Sequence, residues 1–341
     1  MNYDAILYVS FGGPEGRDDV MPYLENVVRG RPFTPERLHE VAHHYEQFGG
    51  VSPINQQNRE VITALEKELD IHRIWMPVYF GNRNWHPLLA DTMREMAANG
   101  VKRALAFVTS AFSCYSGCRQ YRENIEAART AAGDAAPVVD KLRVFYNHPR
   151  FVEANAARVR DAAASLPDSG ASETCLVFTA HSIPLAMARG SRYETQLHDA
   201  CGFVAGAAEM SNWRLAYQSR SGSPKHPWLE PDVCDVIRAL AASGVQRLIL
   251  SPIGFVTDHM EVIYDLDTEA RAVANEAGVE MVRAGTAGTH PAYISMIREL
   301  IEERLKKSVR RRALGGRGPS HDVCPAGCCA YEPVKRSAPL V

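Results

Sequence analysis

Short apolar runs with strand character alternate along this chain with amphipathic stretches that repeat with the period of an α-helix. The runs that predict strands occupy residues 5–9, 74–80, 104–108, 142–145, 175–180, 214–217, 246–250 and 280–283. The stretches that predict helices occupy residues 18–28, 34–47, 55–69, 86–99, 120–132, 150–165 and 292–307. Strands that alternate with helices form parallel sheets with helices packed against them. The pattern therefore predicts an α/β protein.

The alternation restarts after residues 167–170, whose sequence Pro-Asp-Ser-Gly is typical of a connecting loop. A chain of 341 residues is long enough for two domains of ordinary size. We expect one α/β lobe over residues 1–150, a second over residues 151–312 and a tail over residues 313–341. The tail is too polar and too rich in glycine and proline to fold unaided, so its cysteines are the groups expected to order it.

Ionisable side chains follow the predicted strand that ends near Leu250. Ser251-Pro252 stops the strand, and Asp258, His259 and Glu261 come before the next helix. Ligands of α/β proteins bind outside the carboxyl ends of their strands, so this segment is a candidate site.

Glu261, Asp265 and Glu269 are spaced so that an α-helix would place their carboxylates along about 12 Å of one face. No Lys or Arg at i+4 offsets their mutual repulsion. One interpretation is a solvated acidic face that the helix dipole favours at its N-terminal end. The other is a track of carboxylates that leads a cation to Glu261, and the nearby strand end and histidine favour it.

His181 follows another hydrophobic strand, Cys175 to Ala180, and Pro184 ends the pattern. A single histidine after a strand is more often structural than catalytic. If the two lobes are similar, however, His181 and Glu261 both lie at carboxyl ends of the second sheet and face one pocket. A histidine and a carboxylate there could exchange protons or bind a transition metal.

The composition limits which partners and which cellular compartment are expected for this protein. A formal net charge of −2 gives no sign of a nucleic acid or an anionic membrane as partner. No window is long and apolar enough for a membrane span, and the first eleven residues lack the features of a signal peptide. These observations predict a cytoplasmic protein.

The eight cysteines are distributed unevenly. Cys175, Cys201 and Cys234 are scattered and have the character of ordinary buried thiols. Three more lie within six residues of the tail, and Cys114 and Cys118 form a separate pair. Without a signal peptide, a disulfide framework is not expected, and thiols crowded into an irregular segment indicate a soft metal.

Six segments together resemble the signature blocks of the bacterial ferrochelatases. They are SFGGP (10–14), GGVSPIN (49–55), YFGNRNWHP (79–87), FTAHSIPLAM (178–187), YQSRSGSPKHPWLEPD (217–232) and SPIGFVTDHMEVIYDLDTEA (251–270). The resemblance covers residues 4 to about 308. It implies two similar doubly wound, Rossmann-like α/β lobes with a porphyrin cleft between them, and insertion of ferrous iron into the porphyrin.

The resemblance also implies roles for individual residues. The catalytic histidine and glutamate of the family correspond to His181 and Glu261, and which of them accepts the pyrrole protons is left open. Asp265 and Glu269 would extend the route for iron or protons to solvent.

The porphyrin-binding residues that the resemblance implies lie mostly in the first lobe. Ser52 and Tyr121 correspond to positions that hold porphyrin carboxylates, and Tyr45 to another such position. For Ser52 the alternative is a helix N-cap ahead of Pro53. Phe11 stands where some bacterial members have a tyrosine that can coordinate iron, which a phenyl ring cannot do.

Some ferrochelatases hold a [2Fe–2S] cluster with three cysteines of a C-terminal extension and one from the body of the chain. Here the resemblance assigns Cys324, Cys328 and Cys329, with Cys118 as the fourth ligand and Cys114 as its alternative. The adjacent cysteines depart from the wider spacing of animal members, so a zinc site or free thiols stay open.

The tail has no hydrophobic anchor and the connections show no long apolar lip, which favours coproporphyrin III over protoporphyrin IX as substrate. We expect a monomer with transient contacts to neighbouring haem-pathway enzymes. The rival hypotheses are a non-catalytic metal or tetrapyrrole carrier and a cobalt chelatase.

Overall fold

The computed structural model describes residues 3–30, 34–166, 174–221, 226–306 and 308–331, so the predicted boundary at 167–170 lies outside the described residues. The strands are β1 (Ala5–Ser10), β2 (Val78–Asn82), β3 (Arg103–Val108), β4 (Val138–Lys141), β5 (Thr174–His181), β6 (Trp213–Gln218), β7 (Arg247–Ser251) and β8 (Glu280–Arg283). In the first half the helices are α1 (Arg17–Val27), α2 (Pro35–Gln47), α3 (Ile54–Ile71), α4 (Leu89–Ala98), α5 (Gln120–Ala132) and α6 (Pro149–Ala164). In the second half they are α7 (Leu185–Arg189), α8 (Tyr193–Ala207), α9 (Val233–Ala242), α10 (Met260–Val262), α11 (Arg271–Glu276) and α12 (Pro291–Leu305).

The strands form two parallel sheets with the same topology. The first sheet has the order β2-β1-β3-β4 and the second the order β6-β5-β7-β8. β1 and β5 therefore occupy equivalent central positions, and each pairs in parallel with two neighbours. This repeated arrangement confirms the predicted fold class of two Rossmann-like lobes.

Along the central strands, successive side chains pack into different hydrophobic cores, because these strands are buried on both faces of the sheet. Ile6 and Tyr8 of β1 belong to a large core that also contains Phe178 of β5. Leu7 and Val9 belong to a separate core that includes buried side chains of α4 and α5. Helices thus cover both faces of the sheet, and the large core is common to the two lobes.

The predicted strand at residues 142–145 is wrong. Parallel pairing instead joins β3 to Val138–Lys141, which forms the edge strand β4. Leu142, Val144 and Phe145 are buried in the large core without forming a strand. A run of apolar residues indicates that a segment is buried, and an irregular segment inside the protein can be buried as well as a strand. An edge strand, by contrast, tolerates polar residues, so its sequence need not be apolar.

Residues Ile263–Ala270 form a π-helical segment, so the predicted uninterrupted α-helix after Glu261 is also wrong. The carbonyl of Glu261 accepts a hydrogen bond from Gln218 Nε2 at 3.1 Å. The donor of this hydrogen bond lies outside the helix. The bond occurs beside the π-helical turn, in which each backbone hydrogen bond spans one residue more than in an α-helix. π-Helical turns are frequent at functional sites.

The tail is attached to the body before its first cysteine. Leu314 exchanges backbone and side-chain hydrogen bonds with Asn147, whose Nδ2 also donates to the carbonyl of Gly318 at 2.9 Å. Arg317 pairs with Asp199 of α8 at 2.7 Å. The expectation that cysteines alone would order the tail is therefore corrected for the segment up to residue 320. Sequence patterning missed these contacts because they depend on the surface of the folded lobes.

None of the described helices is long and apolar enough to cross a lipid bilayer. The division at residue 150 stays a prediction.

Candidate active site

His181 and Glu261 lie together. His181 is the last residue of β5, and Glu261 belongs to α10, which follows β7. Nε2 of His181 lies 3.8 Å from Oε2 of Glu261. Their side chains are 31% and 47% exposed, so both are accessible to a substrate that enters from solvent.

The protonation of His181 follows from its contacts. Nδ1 forms a short contact with the carbonyl oxygen of Ser182. Because a carbonyl oxygen only accepts, Nδ1 carries the proton in this contact. Nε2 of the neutral ring then presents a lone pair toward Glu261. The hydroxyl of Tyr193 donates to the carbonyl of His181 at 3.0 Å and fixes the end of β5.

A second imidazole, that of His259, also lies close to Glu261. Nδ1 of His259 lies 3.7 Å from the same carboxylate oxygen. Burial lowers the pKa of His259, although the charge of Glu261 acts in the opposite direction. Sequence analysis named His259 as a neighbour of the site without giving it a role.

The segment before Glu261 is held by both lobes. Arg283 of β8 binds Asp258 through two nitrogens at 3.1 and 3.3 Å. The backbone N–H of Asp258 donates to Oε1 of Gln57 on α3 at 2.7 Å. The loop that carries His259 and Glu261 is thus fixed by one contact within its own lobe and by another across to the first lobe.

Asp265 is half-buried and accepts hydrogen bonds from the hydroxyl of Ser219 and from Nε2 of Gln218. Burial raises the pKa of Asp265 to about 7, assisted by the charges of Glu261 and Glu269 and opposed by the Ser219 hydrogen bond. Burial also raises the pKa of Glu269. Asp265 is therefore not part of a fully solvated acidic face, and it can gain or lose a proton near neutral pH.

Tyr45 belongs to an aromatic cluster that covers this carboxylate group from the first lobe. Its ring lies 5.9 Å from that of Tyr23, which in turn contacts Trp85 at 6.1 Å. The same apolar cluster includes Met260, the residue before Glu261. Burial, followed by the charge of Glu261, raises the pKa of the Tyr45 hydroxyl, so this group stays protonated and can donate.

Arg83, which lies in the YFGNRNWHP segment, is a candidate site residue that the sequence did not single out. Its guanidinium carbon is 5.3 Å from the ring centre of Phe11 and 5.0 Å from that of Tyr121. One of its nitrogens donates to the carbonyl of Ser116 at 3.3 Å. The structure thus brings a cation to two of the predicted substrate residues, at the carboxyl ends of β1 and β2.

Ser52 is buried, and its backbone N–H donates to the carbonyl of Pro14 at 2.9 Å. α3 begins at Ile54 with Pro53 as its cap residue, and no side chain caps it. The alternative that Ser52 is a helix N-cap is therefore wrong. A side chain on Gly13 would clash with Ser52, so the glycine permits this close approach.

Thiols and an imidazole converge at the tail. His321, Cys324 and Cys328 have ligand atoms within 4.8 Å of one another. Sγ of Cys328 is 3.7 Å from Sγ of Cys329 and 3.7 Å from Nε2 of His321. His321 lies three residues before Cys324 and was not predicted as a metal ligand from the sequence.

Cys118 joins this group from the body of the chain, on the π-helical turn Tyr115–Arg119. A hydrogen bond from the Cys324 thiol lowers the pKa of Cys118 to about 5, with help from Lys141 and against the effect of burial. Arg119 donates to the carbonyls of Ala326 and Cys328 at 3.2 and 3.4 Å, which fixes the tail beside the turn. Cys114 instead accepts from the N–H of Gly117.

The fold is that of the chelatases. SirB from Bacillus subtilis with Fe3+ superposes with a TM-score of 0.56 at 10% sequence identity, over 91% of this chain and 100% of that chain. A multi-domain protein from Deinococcus radiodurans with structural similarity to chelatases gives a TM-score of 0.51 at 15% identity, over 93% of this chain and 57% of that one.

Sequence comparison defines the family. The ferrochelatase family model matches residues 3–305. A ferrochelatase from Rhodopirellula baltica is 56% identical over 97% of this chain and 94% of its own length. A coproporphyrin III ferrochelatase from Streptomyces griseus is 48% identical over 98% of this chain and 96% of its own length. The chain belongs to the ferrochelatase family, and it inserts ferrous iron into a porphyrin in haem biosynthesis.

Proposed function

We propose that the substrate is coproporphyrin III and that the product is its iron complex, coprohaem. The relatives from Streptomyces and Nocardia that match nearly the whole chain are named coproporphyrin III ferrochelatases, which supports this choice. The half-buried cation Arg83 also supports it, because coproporphyrin III carries more carboxylates than protoporphyrin IX.

The approach of His181 to Glu261 is the observation that carries the proposed mechanism. Two pyrrole protons must leave as Fe2+ enters, so a base is needed near the centre of the ring. Nε2 of His181, which lies 3.8 Å from Glu261, removes a proton or transiently contacts the iron. Glu261 acts as the opposing ligand or base. Asp265 and Glu269 form the route by which iron or protons exchange with solvent.

The macrocycle is held by side chains of the first lobe. Tyr121 and Tyr45 are protonated donors for porphyrin carboxylates, Ser52 offers a hydroxyl, and Arg83 adds a positive charge. Phe11 packs on Arg83 and cannot coordinate iron through its phenyl ring. Release of the product therefore does not require an iron–phenolate bond at this position to be broken.

We further propose that the tail binds a [2Fe–2S] cluster through Cys118, Cys324, Cys328 and Cys329. The donors fit such a group because soft ligands converge at one place and one of them, Cys118, is already favoured as a thiolate. When bound, the cluster supplies a covalent link between the tail and the first lobe, since metal insertion itself transfers no electrons. The cysteines position it, and Arg119 holds the backbone around Cys328.

A cytoplasmic location also stays a prediction. That the chain acts as a monomer, with transient contacts to neighbouring enzymes of haem synthesis, stays a prediction.

Anaerobic incubation with Fe2+ and each porphyrin, followed by the Soret absorption band, tests the reaction and the substrate together. We expect faster turnover of coproporphyrin III, and equal or faster turnover of protoporphyrin IX would contradict the substrate proposal. His181→Ala and Glu261→Gln should each lower kcat by about 10² to 10⁴, the usual contribution of a general acid or base. His72→Ala, which changes an exposed histidine at the end of α3, is the matched control and should turn over normally.

A further inference from the structure

Arg283, the last residue of β8, binds two carboxylates of the segment that carries Glu261. Its Nη1 and Nη2 donate to the two oxygens of Asp258 at 3.1 and 3.3 Å. Its Nε donates to both oxygens of Asp267 at 2.8 and 3.0 Å. Asp258 precedes Glu261 in the sequence and Asp267 follows it. One guanidinium therefore connects the two sides of the segment whose middle carries the proposed catalytic carboxylate.

These contacts are largely shielded from solvent. The side chains of Arg283, Asp258 and Asp267 are 15%, 16% and 29% exposed. Hydrogen bonds between charged groups are about twice as strong as neutral ones, and the planar guanidinium fixes direction as well as distance. Asp258 is also held at its backbone, because its N–H donates to Oε1 of Gln57 on α3. The start of the segment is thus fixed in both position and orientation.

The carboxylate of Glu261 depends on its backbone for its position. It lies 3.8 Å from Nε2 of His181 and 3.7 Å from Nδ1 of His259. Both distances exceed the range of about 2.7 to 3.2 Å for a hydrogen bond, so neither imidazole holds it firmly. Catalytic groups must stay within about 0.5 Å of their productive geometry. The backbone that carries Glu261 continues into the π-helical segment Ile263–Ala270, which contains Asp267.

We propose that Arg283 is a positioning residue for iron insertion. By binding Asp258 and Asp267, it keeps the carboxylate of Glu261 opposite Nε2 of His181. We assign Arg283 no contact with the porphyrin or the iron, so its effect on the reaction is transmitted through the backbone of this segment. The inference rests on the proposed catalytic role of Glu261.

A double-mutant cycle between Arg283 and Glu261 tests the inference on the full-length protein. Iron insertion is measured anaerobically with Fe2+ and the faster of the two porphyrins. Arg283→Lys keeps the charge, but an ammonium lacks the planar array of donors that binds two carboxylates, and Arg283→Gln removes the charge as well. We expect each to lower kcat about 10- to 100-fold, as a small displacement of a catalytic group does, with KM for the porphyrin changed less than about twofold.

The second half of the cycle separates positioning from general stabilisation. In the Glu261→Gln background, Arg283→Lys should lower kcat by less than about twofold, because the carboxylate through which it acts is already missing. Arg247→Lys is the matched control, since Arg247 pairs with Glu280 at 3.5 Å at the opposite end of β8. It should leave kcat unchanged. Urea unfolding of every variant gives the folded fraction by which the rates are corrected.

Equal falls in kcat in both backgrounds would overturn the inference, because Arg283 would then act independently of Glu261. A rise in KM alone, or a normal kcat in both Arg283→Lys and Arg283→Gln, would overturn it too. A normal kcat in Glu261→Gln would contradict the proposed mechanism itself and this inference with it. Additive effects beside an impaired Glu261→Gln contradict the inference alone.

Discussion

At the residue scale, the chemistry of the site depends on which atoms carry protons. The Ser182 carbonyl assigns the proton of the His181 tautomer to Nδ1, so Nε2 is the atom that lies toward Glu261. Asp265, by contrast, holds its proton up to near neutral pH because it is partly buried beside two other carboxylates. The site therefore places an imidazole nitrogen and a carboxyl group that exchanges its proton near neutral pH on either side of Glu261 in the sequence.

The raised pKa of Asp265 predicts a pH-dependent cost to stability. The group titrates near 3.8 when unfolded and at about 7 when folded, so the folded state loses stability as pH rises through this window. Asp265→Asn removes the cost. Relative to the wild type, the variant should gain on the order of 1 kcal/mol between pH 4 and pH 8, after a discount for partial exposure. Urea unfolding at both pH values measures this, and a pH-independent difference would contradict it.

Substitution of Arg83 is expected to change porphyrin binding more than the chemical step. Its side chain contacts the rings of Phe11 and Tyr121, so Arg83→Ala removes a cation and two stacking contacts from the proposed porphyrin site. We expect KM for the porphyrin to rise about tenfold, equivalent to about 1.4 kcal/mol, with a smaller change in kcat. Arg83→Lys should recover only part of the affinity, because an ammonium lacks the planar stacking surface.

Steady-state kinetics at saturating Fe2+ provide the measurement for Arg83. Arg94→Ala, which removes an exposed arginine paired with Asp91 on α4, is the matched control. An effect on kcat alone, with KM unchanged, would argue against porphyrin binding by Arg83.

At the element scale, the π-helical turn Tyr115–Arg119 links the tail to Arg83. It carries Cys118 toward the tail thiols, and the carbonyl of its Ser116 accepts from Arg83. Arg119 at its end binds two carbonyls of the tail. The tail and Arg83, the proposed porphyrin-binding cation, therefore contact the same short element.

The attachment of the tail predicts that its first part stays in place without metal. Asn147 holds Leu314 and Gly318 from a buried position, so Asn147→Ala leaves two tail carbonyls without this donor. We expect residues 308–331 to become sensitive to limited proteolysis in the variant while the two lobes resist. Metal-free wild type should keep the segment up to residue 320 protected. Cleavage before residue 320 in metal-free wild type would mean that the metal alone orders the tail.

At the scale of the whole molecule, the lobes are joined by a common core and by buried polar contacts. Arg143, in the irregular segment after β4, forms two hydrogen bonds with Glu303 of α12, at 2.7 and 2.9 Å. The two side chains are only 1% and 2% exposed. Arg143 also donates to the carbonyl of Arg312, so one cation connects the first lobe, the last helix and the tail.

Breaking this buried pair should be costly, because a charge is left buried without its partner. We expect Glu303→Ala to lower the free energy of unfolding by about 3 to 5 kcal/mol. Glu40→Ala, which breaks the exposed pair with Arg37, should change it by less than about 1 kcal/mol. Urea unfolding of both variants gives the comparison, and equal effects would contradict a special role for the buried pair.

The sequence by itself determined the alternation of strands and helices, because the period of apolar residues reflects which faces are buried. It also determined that His181 and Glu261 belong to the ends of strands in one lobe, and the resemblance of their segments to known blocks gave the family. The tertiary structure alone decided the position of β4 and the π-helical segment, since both depend on hydrogen-bond partners distant in the chain.

The tertiary structure likewise decided which side chains distant in the sequence contact one another. Arg83 contacts Tyr121, and His321 contacts Cys328, only in the folded chain. The local sequence around each residue does not indicate its partner. The tail shows the same limit, because its composition predicts disorder while Asn147 and Asp199 hold it in place. Composition and periodicity report how much a segment is buried, whereas the geometry of a site depends on pairings that only the folded chain creates.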